Sequence, residues 1–102
     1  MVKKYETTGN DSFYSGAVSS LAPDATATGK TLPTLKGSAL LTGLRYVILT
    51  VVSGTVTFGY GSISGTSPAL PEPFGRPITK ALADTLKLFS TAGAVVTLEE
   101  YV

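Results

Sequence analysis

Acidic side chains are the first candidates for chemistry in this 102-residue sequence, because it contains neither histidine nor cysteine. Without those residues a Ser-His-Asp or Cys-His nucleophile cannot form, and the usual zinc ligands are missing. Glu99 and Glu100 are the only adjacent acids in the chain. Neighbouring residues of a strand point to opposite faces of a sheet, so these two carboxylates cannot act on one substrate. The sequence therefore predicts no catalytic residue, no metal site and no cofactor.

A phosphate-binding loop is the second chemical possibility, because Gly29-Lys30-Thr31 has the residues that end such a motif. The motif requires another glycine where this chain has Asp24, whose negative charge would repel a phosphate group. Pro33 is also expected to prevent the helix that should follow directly. We interpret the tripeptide as a chance match.

The composition points to a partly covered surface. Charged residues form 15% and hydrophobic residues 43% of the chain, whereas proteins usually contain about 25% charged residues. A small domain has a large surface to cover with polar groups. We therefore predict that another subunit covers part of this surface in a homo-oligomer or a complex. A surface of serine, threonine and glycine is the alternative.

Two classes of partner are disfavoured by the charge and the hydropathy pattern. The net charge is +1, whereas nucleic-acid-binding domains normally carry a basic face. The longest apolar stretch, residues 46–52, is far shorter than the roughly 20 residues that cross a bilayer. We expect neither nucleic acid nor a membrane as a partner.

Residues 1–37 differ from the rest of the chain, since serine, threonine, glycine and alanine dominate and apolar residues are scattered. This composition predicts an extended N-terminal arm with one or two short strands. The adjacent aromatics Phe13 and Tyr14 favour docking on a partner, because disordered segments are poor in aromatic residues. We take both as partner-contact candidates.

The strand signal is strongest in residues 38–60. Short strands are expected over 38–42 and 55–60, and a long strand over 44–52. Ser53-Gly54 between the last two predicts a β-hairpin. Both faces of the long strand are largely apolar, so one is expected to meet the core and the other a neighbouring subunit. Val47, Leu49 and Val51 are the interface candidates on this strand.

Residues 61–75 form a proline-containing loop, and a loop of this length is usually functional or ordered by a partner. Phe74 and Arg76 are the contact candidates, because arginine and aromatic residues favour interface hot spots. A solvent-exposed Arg76 is the alternative.

The C-terminal part reads as a helical turn over 80–84 followed by strands over 85–90 and 94–102. Ala92-Gly93 predicts a second hairpin. Val96 and Leu98 are expected to face inward, with Glu100 at the rim. The fold class is therefore all-β, as a small antiparallel β-sandwich or jelly-roll-like barrel over residues 38–102.

The strand rhythm of residues 44–60 (LRYVILTVVSGTVTFGY) and 85–99 (TLKLFSTAGAVVTLE) resembles that of small accessory virion proteins of tailed bacteriophages. The closest likeness is to head decoration, or cement, proteins, and it covers about residues 38–102. The resemblance implies a non-enzymatic structural protein of the virion, present in the host cytoplasm during assembly. It implies binding to the major capsid protein or another virion protein, a homo-oligomer that is often a trimer, and a terminal arm that reaches a neighbour.

A carbohydrate- or receptor-binding β-module of a phage fibre or spike is the alternative function. It predicts exposed aromatic side chains on one face of a sheet. A hydrolase that uses carboxylates alone is a third class, and it predicts that acids from distant loops meet in one pocket.

Overall fold

The computed structural model describes residues 16–102, whose regular structure is mostly antiparallel β-strand. The elements in chain order are β1 (Gly16–Leu21), β2 (Lys30–Thr31), α1 (Leu32–Lys36), β3 (Tyr46–Ser53), β4 (Thr57–Gly59), β5 (Phe74–Pro77), α2 (Lys80–Ala83), β6 (Lys87–Phe89) and β7 (Val95–Tyr101). They form a four-stranded sheet in the order β1-β7-β3-β5 and a three-stranded sheet in the order β2-β6-β4. The predicted β-sandwich is confirmed.

The core lies between the two sheets and is built by strand alternation. Leu49 of β3 stands opposite Leu98 of β7 on one side and Phe74 of β5 on the other. Val96 and Leu98 are fully buried, as predicted from the period-two pattern of the last strand. The three-stranded sheet contributes Leu88 from its central strand, β6.

Residues 16–37 of the predicted arm belong to the sandwich in this structure. The strand β1 pairs with β7 at six consecutive positions, and Leu21 and Leu32 are fully buried in the core. The expectation that Pro33 blocks a helix is wrong, because α1 begins directly after Thr31. Proline is tolerated in the first helical turn, where its missing N–H has no partner to lose.

No strand forms over residues 38–42, which were predicted to contain one. The N–H of Leu41 instead donates a hydrogen bond of 2.8 Å to the side chain of Glu100. Leu40 is nevertheless buried. The apolar character of this segment therefore reflects a loop that packs into the core.

Neither predicted hairpin forms, because both turns lead from one sheet to the other. The strand β3 already has β7 and β5 as its two neighbours, so β4 cannot pair with it and joins the second sheet. Gly54 and Gly93 in the two connections both have φ of 87°. A Cβ atom on Gly54 would lie 2.7 Å from the carbonyl oxygen of Gly93. The two connections therefore pack against each other.

Gly54→Ala is expected to lower the free energy of unfolding by about 1 kcal/mol more than Gly93→Ala does, because the added methyl overpacks the site. Gly93→Ala is the matched control, since it has the same positive φ but no heavy atom within 4 Å of the added Cβ. Urea denaturation of the two variants measures this difference. Equal losses would contradict the close packing of the two connections.

The remaining predictions for the second half of the chain are largely met. The expected helical turn is α2, which begins after Thr79, whose hydroxyl accepts a hydrogen bond from the N–H of Leu82. The expected loop over 61–75 contains a backbone contact with β4, since Phe58 N–H donates to the carbonyl of Pro68 at 3.1 Å. The end of that loop forms β5.

Candidate interaction surface

The adjacent acids point to opposite faces of β7, as the strand alternation predicts. Glu100 was expected at the rim but is fully buried. Its Oε1 accepts the hydrogen bond from Leu41, and its Oε2 lies 2.7 Å from Nζ of Lys36. The ammonium group also donates to the carbonyl of Ala39 at 3.1 Å. The carboxylate is thus used to connect the segment after α1 to β7.

The contact between Lys36 and Glu100 is an ion pair without hydrogen-bond geometry. The distance between Nζ and Oε2 is short, yet Oε2 has no hydrogen-bond partner of acceptable angle. Coulomb attraction in a low-dielectric interior therefore compensates the loss of water around this oxygen. The Lys36 side chain is itself only 12% exposed.

Gly29-Lys30-Thr31 has a structural explanation that involves no phosphate. Lys30 Nζ donates to Oδ2 of Asp24 at 3.0 Å, and Thr31 provides the N-cap of α1. The other carboxylate oxygen of Asp24 accepts hydrogen bonds from the hydroxyl and the N–H of Thr26. These bonds, first that of the Thr26 hydroxyl and then that of Lys30, lower the pKa of Asp24 from 3.8 to about 2.

The low pKa of Asp24 makes stability depend on pH in the acid range. A carboxylate whose pKa is lower in the folded chain stabilises it above the unfolded pKa of 3.8, and loses that effect as the pH falls to about 2. We expect Thr26→Val to raise the Asp24 pKa, and Asp24→Asn to reduce the pH dependence of unfolding between these values. Carboxyl titration by NMR and urea denaturation measure both effects. A midpoint near the ordinary value in the unaltered chain would contradict the structure.

The cleft beside the two connections between the sheets has no acid or base in its lining. A cleft of about 240 Å³ beside the two connections is lined by Gly54, Thr57, Phe89, Ser90 and their neighbours, which include no ionisable side chain. Within residues 16–102, no group of three or more acids forms that could hold a metal ion. No helix of this part of the chain is both long and apolar enough to cross a bilayer.

Of the predicted contact residues, two lie outside the described part of the chain and two on β3 are buried in the core. Phe13 and Tyr14 lie outside the described residues. Val47 and Leu49 are fully buried in the chain's own core, where no partner reaches them. The opposite face of β3 also carries apolar side chains, among them Ile48 and Val52, so apolar content alone did not distinguish the inward face from the outward one.

The remaining three predicted contact residues lie on β3 and β5. Val51 is partly buried and packs against the core, and Phe74 is 2% exposed within it. Arg76 is exposed, with its guanidinium carbon 4.5 Å from the ring centroid of Phe74. It also donates to the hydroxyl of Tyr60 at 3.5 Å. Arg76 is thus positioned at the surface by a cation–π contact with a core residue.

The outer face of the four-stranded sheet, opposite the core, carries three of the five large hydrophobic side chains that are exposed among the described residues. Strand alternation places six large apolar or aromatic side chains there: Val18, Tyr46, Ile48, Val52, Val95 and Tyr101. Val18 is 72% exposed, Val52 63% and Val95 38%. The pairing of β3 with β7 shifts beside Val52, between Val51 and Ser53.

This outer face carries a single charge among the residues of its four strands, the carboxylate of Glu99. Its Oε1 accepts a hydrogen bond of 2.5 Å from the Tyr101 hydroxyl, which raises the pKa of that tyrosine. Tyr101 stands directly opposite Tyr46. Each ring edge approaches a glycine: a Cβ on Gly16 would lie 3.3 Å from Tyr101, and one on Gly75 3.2 Å from Tyr46. The face is therefore a nearly uncharged, aromatic and aliphatic surface.

The fold and this surface define a small antiparallel β-sandwich with one apolar sheet face. Comparisons with protein-family models, with curated proteins and with solved structures find no match to this chain.

Proposed function

We propose that this chain is a structural protein of a phage virion that binds the assembled capsid shell and stabilises it without catalysis. The observation that carries the proposal is the apolar, nearly uncharged outer face of the four-stranded sheet. Exposed apolar patches of this kind are typical of protein contact sites. The spacing of the strands in the sequence resembles that of head decoration proteins. The proposed partner is therefore the major capsid protein or another virion protein.

The low charge of the outer face suits a contact with another protein. A charged side chain in the centre of an interface must be desolvated, and charged residues are accordingly depleted there. Glu99 is the exception on this face, and its carboxylate already accepts the hydrogen bond from Tyr101. The exposed Val52 and Val95 lie next to the β-bulge, and a partner that covered them would remove apolar surface from water.

The stabilising mechanism follows from mass action. A protein that binds the assembled lattice, but not the separate subunits, lowers the free energy of the lattice by its binding free energy. The adjacent acids of the chain are engaged in structure, since Glu100 pairs with Lys36 and Glu99 with Tyr101. Both therefore support the framework that presents the outer face.

Density-gradient centrifugation of particles of the phage that encodes this chain tests the proposed function. We expect the chain to travel with assembled shells in a fixed ratio to the major capsid protein. Shells depleted of it are expected to lose their contents at a lower temperature and to recover on its addition. A chain found with unassembled protein alone, or one whose removal leaves shell stability unchanged, would contradict the proposal.

Carbohydrate or receptor binding by a fibre or spike module is the second candidate function. It is favoured by the pair Tyr46 and Tyr101, two half-buried aromatic rings that stand opposite each other on one sheet face. It predicts that the isolated chain binds glycans and that Tyr101→Ala abolishes this binding. Glycan-array binding by the full chain, absent in that variant, would select this function over shell binding.

A further inference from the structure

Among residues 16–102, the free edge of β1 carries no charge, proline or bulge that would hinder pairing. A strand at a sheet edge presents unpaired N–H and C=O groups, and natural edges are usually blunted by charge, proline, a bulge or a covering loop. The residues of β1 are Gly-Ala-Val-Ser-Ser-Leu, without charge or proline. Its six pairs with β7 run without a register shift. Within residues 16–102, no backbone hydrogen bond joins β1 to any segment other than β7.

The other edges of both sheets carry protective features. At the far side of the same sheet, β5 has only four residues, including Arg76 and Pro77. In the second sheet, β4 is covered by a loop, because Phe58 N–H donates to Pro68 and Leu70 N–H to the carbonyl of Val56. The strand β2 has only two residues, one of them Lys30. The β1 edge is therefore the longest of the sheet edges among the described strands, and it has no charge, proline or bulge.

We infer that β1 is a self-association edge at which two copies of this chain pair antiparallel across a two-fold axis. Identical strands meet in such a contact, so any charge on β1 would face its own copy, and β1 carries none. The pairing extends the four-stranded sheet of each copy into one continuous sheet of twice the width. The outer face of that sheet is then shared by both copies.

The exposure pattern of β1 selects the register of this pairing. Gly16, Val18 and Ser20 lie on the outer face, and the residues between them face inward. Only registers that pair outer with outer residues keep both faces intact. Val18 has the largest exposed fraction of the large apolar residues in the described chain, 72%. Placing the axis at Val18 sets the two valines directly opposite each other, so that each covers part of the other's apolar surface.

This contact is independent of the proposed function, since it concerns only the chain with itself. It also differs from the three-fold assembly that the resemblance to decoration proteins implies. A two-fold contact closes after two copies.

Solution mass of the full chain by size exclusion with light scattering tests the inference. We expect the mass of two copies of the 10.5 kDa chain. Val18→Lys is expected to weaken the dimer by about tenfold or more, because two like charges then stand opposite each other. Leu82→Lys is the matched control, since Leu82 is 47% exposed and lies on α2, away from β1. We expect this variant to remain dimeric. Circular dichroism confirms that both variants are folded.

Cysteine crosslinking locates the axis, because the natural chain has no cysteine. Val18→Cys is expected to form a disulfide-linked dimer on oxidation, since directly opposite strand residues come within disulfide reach. Leu82→Cys should remain uncrosslinked. A monomeric or trimeric natural chain, or a dimer that persists with Val18→Lys and does not crosslink through Val18→Cys, would overturn the inference.

Discussion

Replacing Lys36 by methionine is expected to lower the free energy of unfolding by about 3–5 kcal/mol, because removal of one partner leaves a buried charge uncompensated. Glu100 is fully buried, and its Oε2 has Lys36 Nζ as its close partner at 2.7 Å. Most of the loss is therefore the cost of leaving the Glu100 carboxylate buried without a countercharge. The missing lysine side chain itself accounts for much less. Urea denaturation measures the change.

Two further variants make this prediction specific to the buried charge. Adding Glu100→Gln to Lys36→Met is expected to restore more than half of the loss, since an amide oxygen can still accept from Leu41 N–H. Lys80→Met is the matched control, because the ion pair with Asp84 has a similar Nζ to Oδ2 distance of 2.9 Å but its two side chains are 37% and 34% exposed. Exposed pairs contribute about 1 kcal/mol or less. Similar small losses for Lys36→Met and Lys80→Met would show that Glu100 is hydrated in solution.

Leu49→Ala is expected to lower the free energy of unfolding by about 2–5 kcal/mol, as large-to-small changes in a packed core do. Leu49 is fully buried between Leu98 and Phe74, so the lost methyl groups leave a cavity in the centre of the sandwich. The same change at an interface residue of an isolated chain would have little effect. The measurement thus separates a core position from a partner-contact position.

Val52→Ala provides the comparison on the outward side of the same strand. Val52 is 63% exposed, and surface substitutions of this kind usually change stability by about 0.5 kcal/mol or less. A small effect of Leu49→Ala, or a large effect of Val52→Ala, would contradict the assignment of the two faces of β3.

The sequence pattern was sufficient to predict β3, β4, β6 and β7 but not their partners. The dense apolar run of β3 and the alternation of β7 are local properties that the chain order displays directly. Gly54 likewise predicts a positive φ, which the structure has. Whether the following strand returns to β3 or crosses to the second sheet depends on whether β7 and β5 already flank β3. That choice is set by residues distant in the sequence and was therefore predicted wrongly.

The burial of Glu100 could not be predicted for a similar reason. A glutamate near the end of a strand is usually exposed, and its burial here depends on Lys36 and Leu41, which the fold brings to it from the segment around α1. The strand β1 within the predicted arm was not located for a similar reason. It is too poor in apolar residues to be recognised from its own sequence. Its stability comes from pairing with the strongly apolar β7.

Binding of the full chain and of its Val52→Lys variant to assembled shells tests most directly whether the outer face is the shell-binding surface. Measured by co-sedimentation, the unaltered chain is expected to saturate assembled shells and to leave dissociated capsid subunits unbound. Val52→Lys places a charge on the proposed contact face, so its affinity should fall by about tenfold or more, while Leu82→Lys binds as the unaltered chain does. Equal binding of all three chains, or no binding of the unaltered chain to shells, would contradict the account.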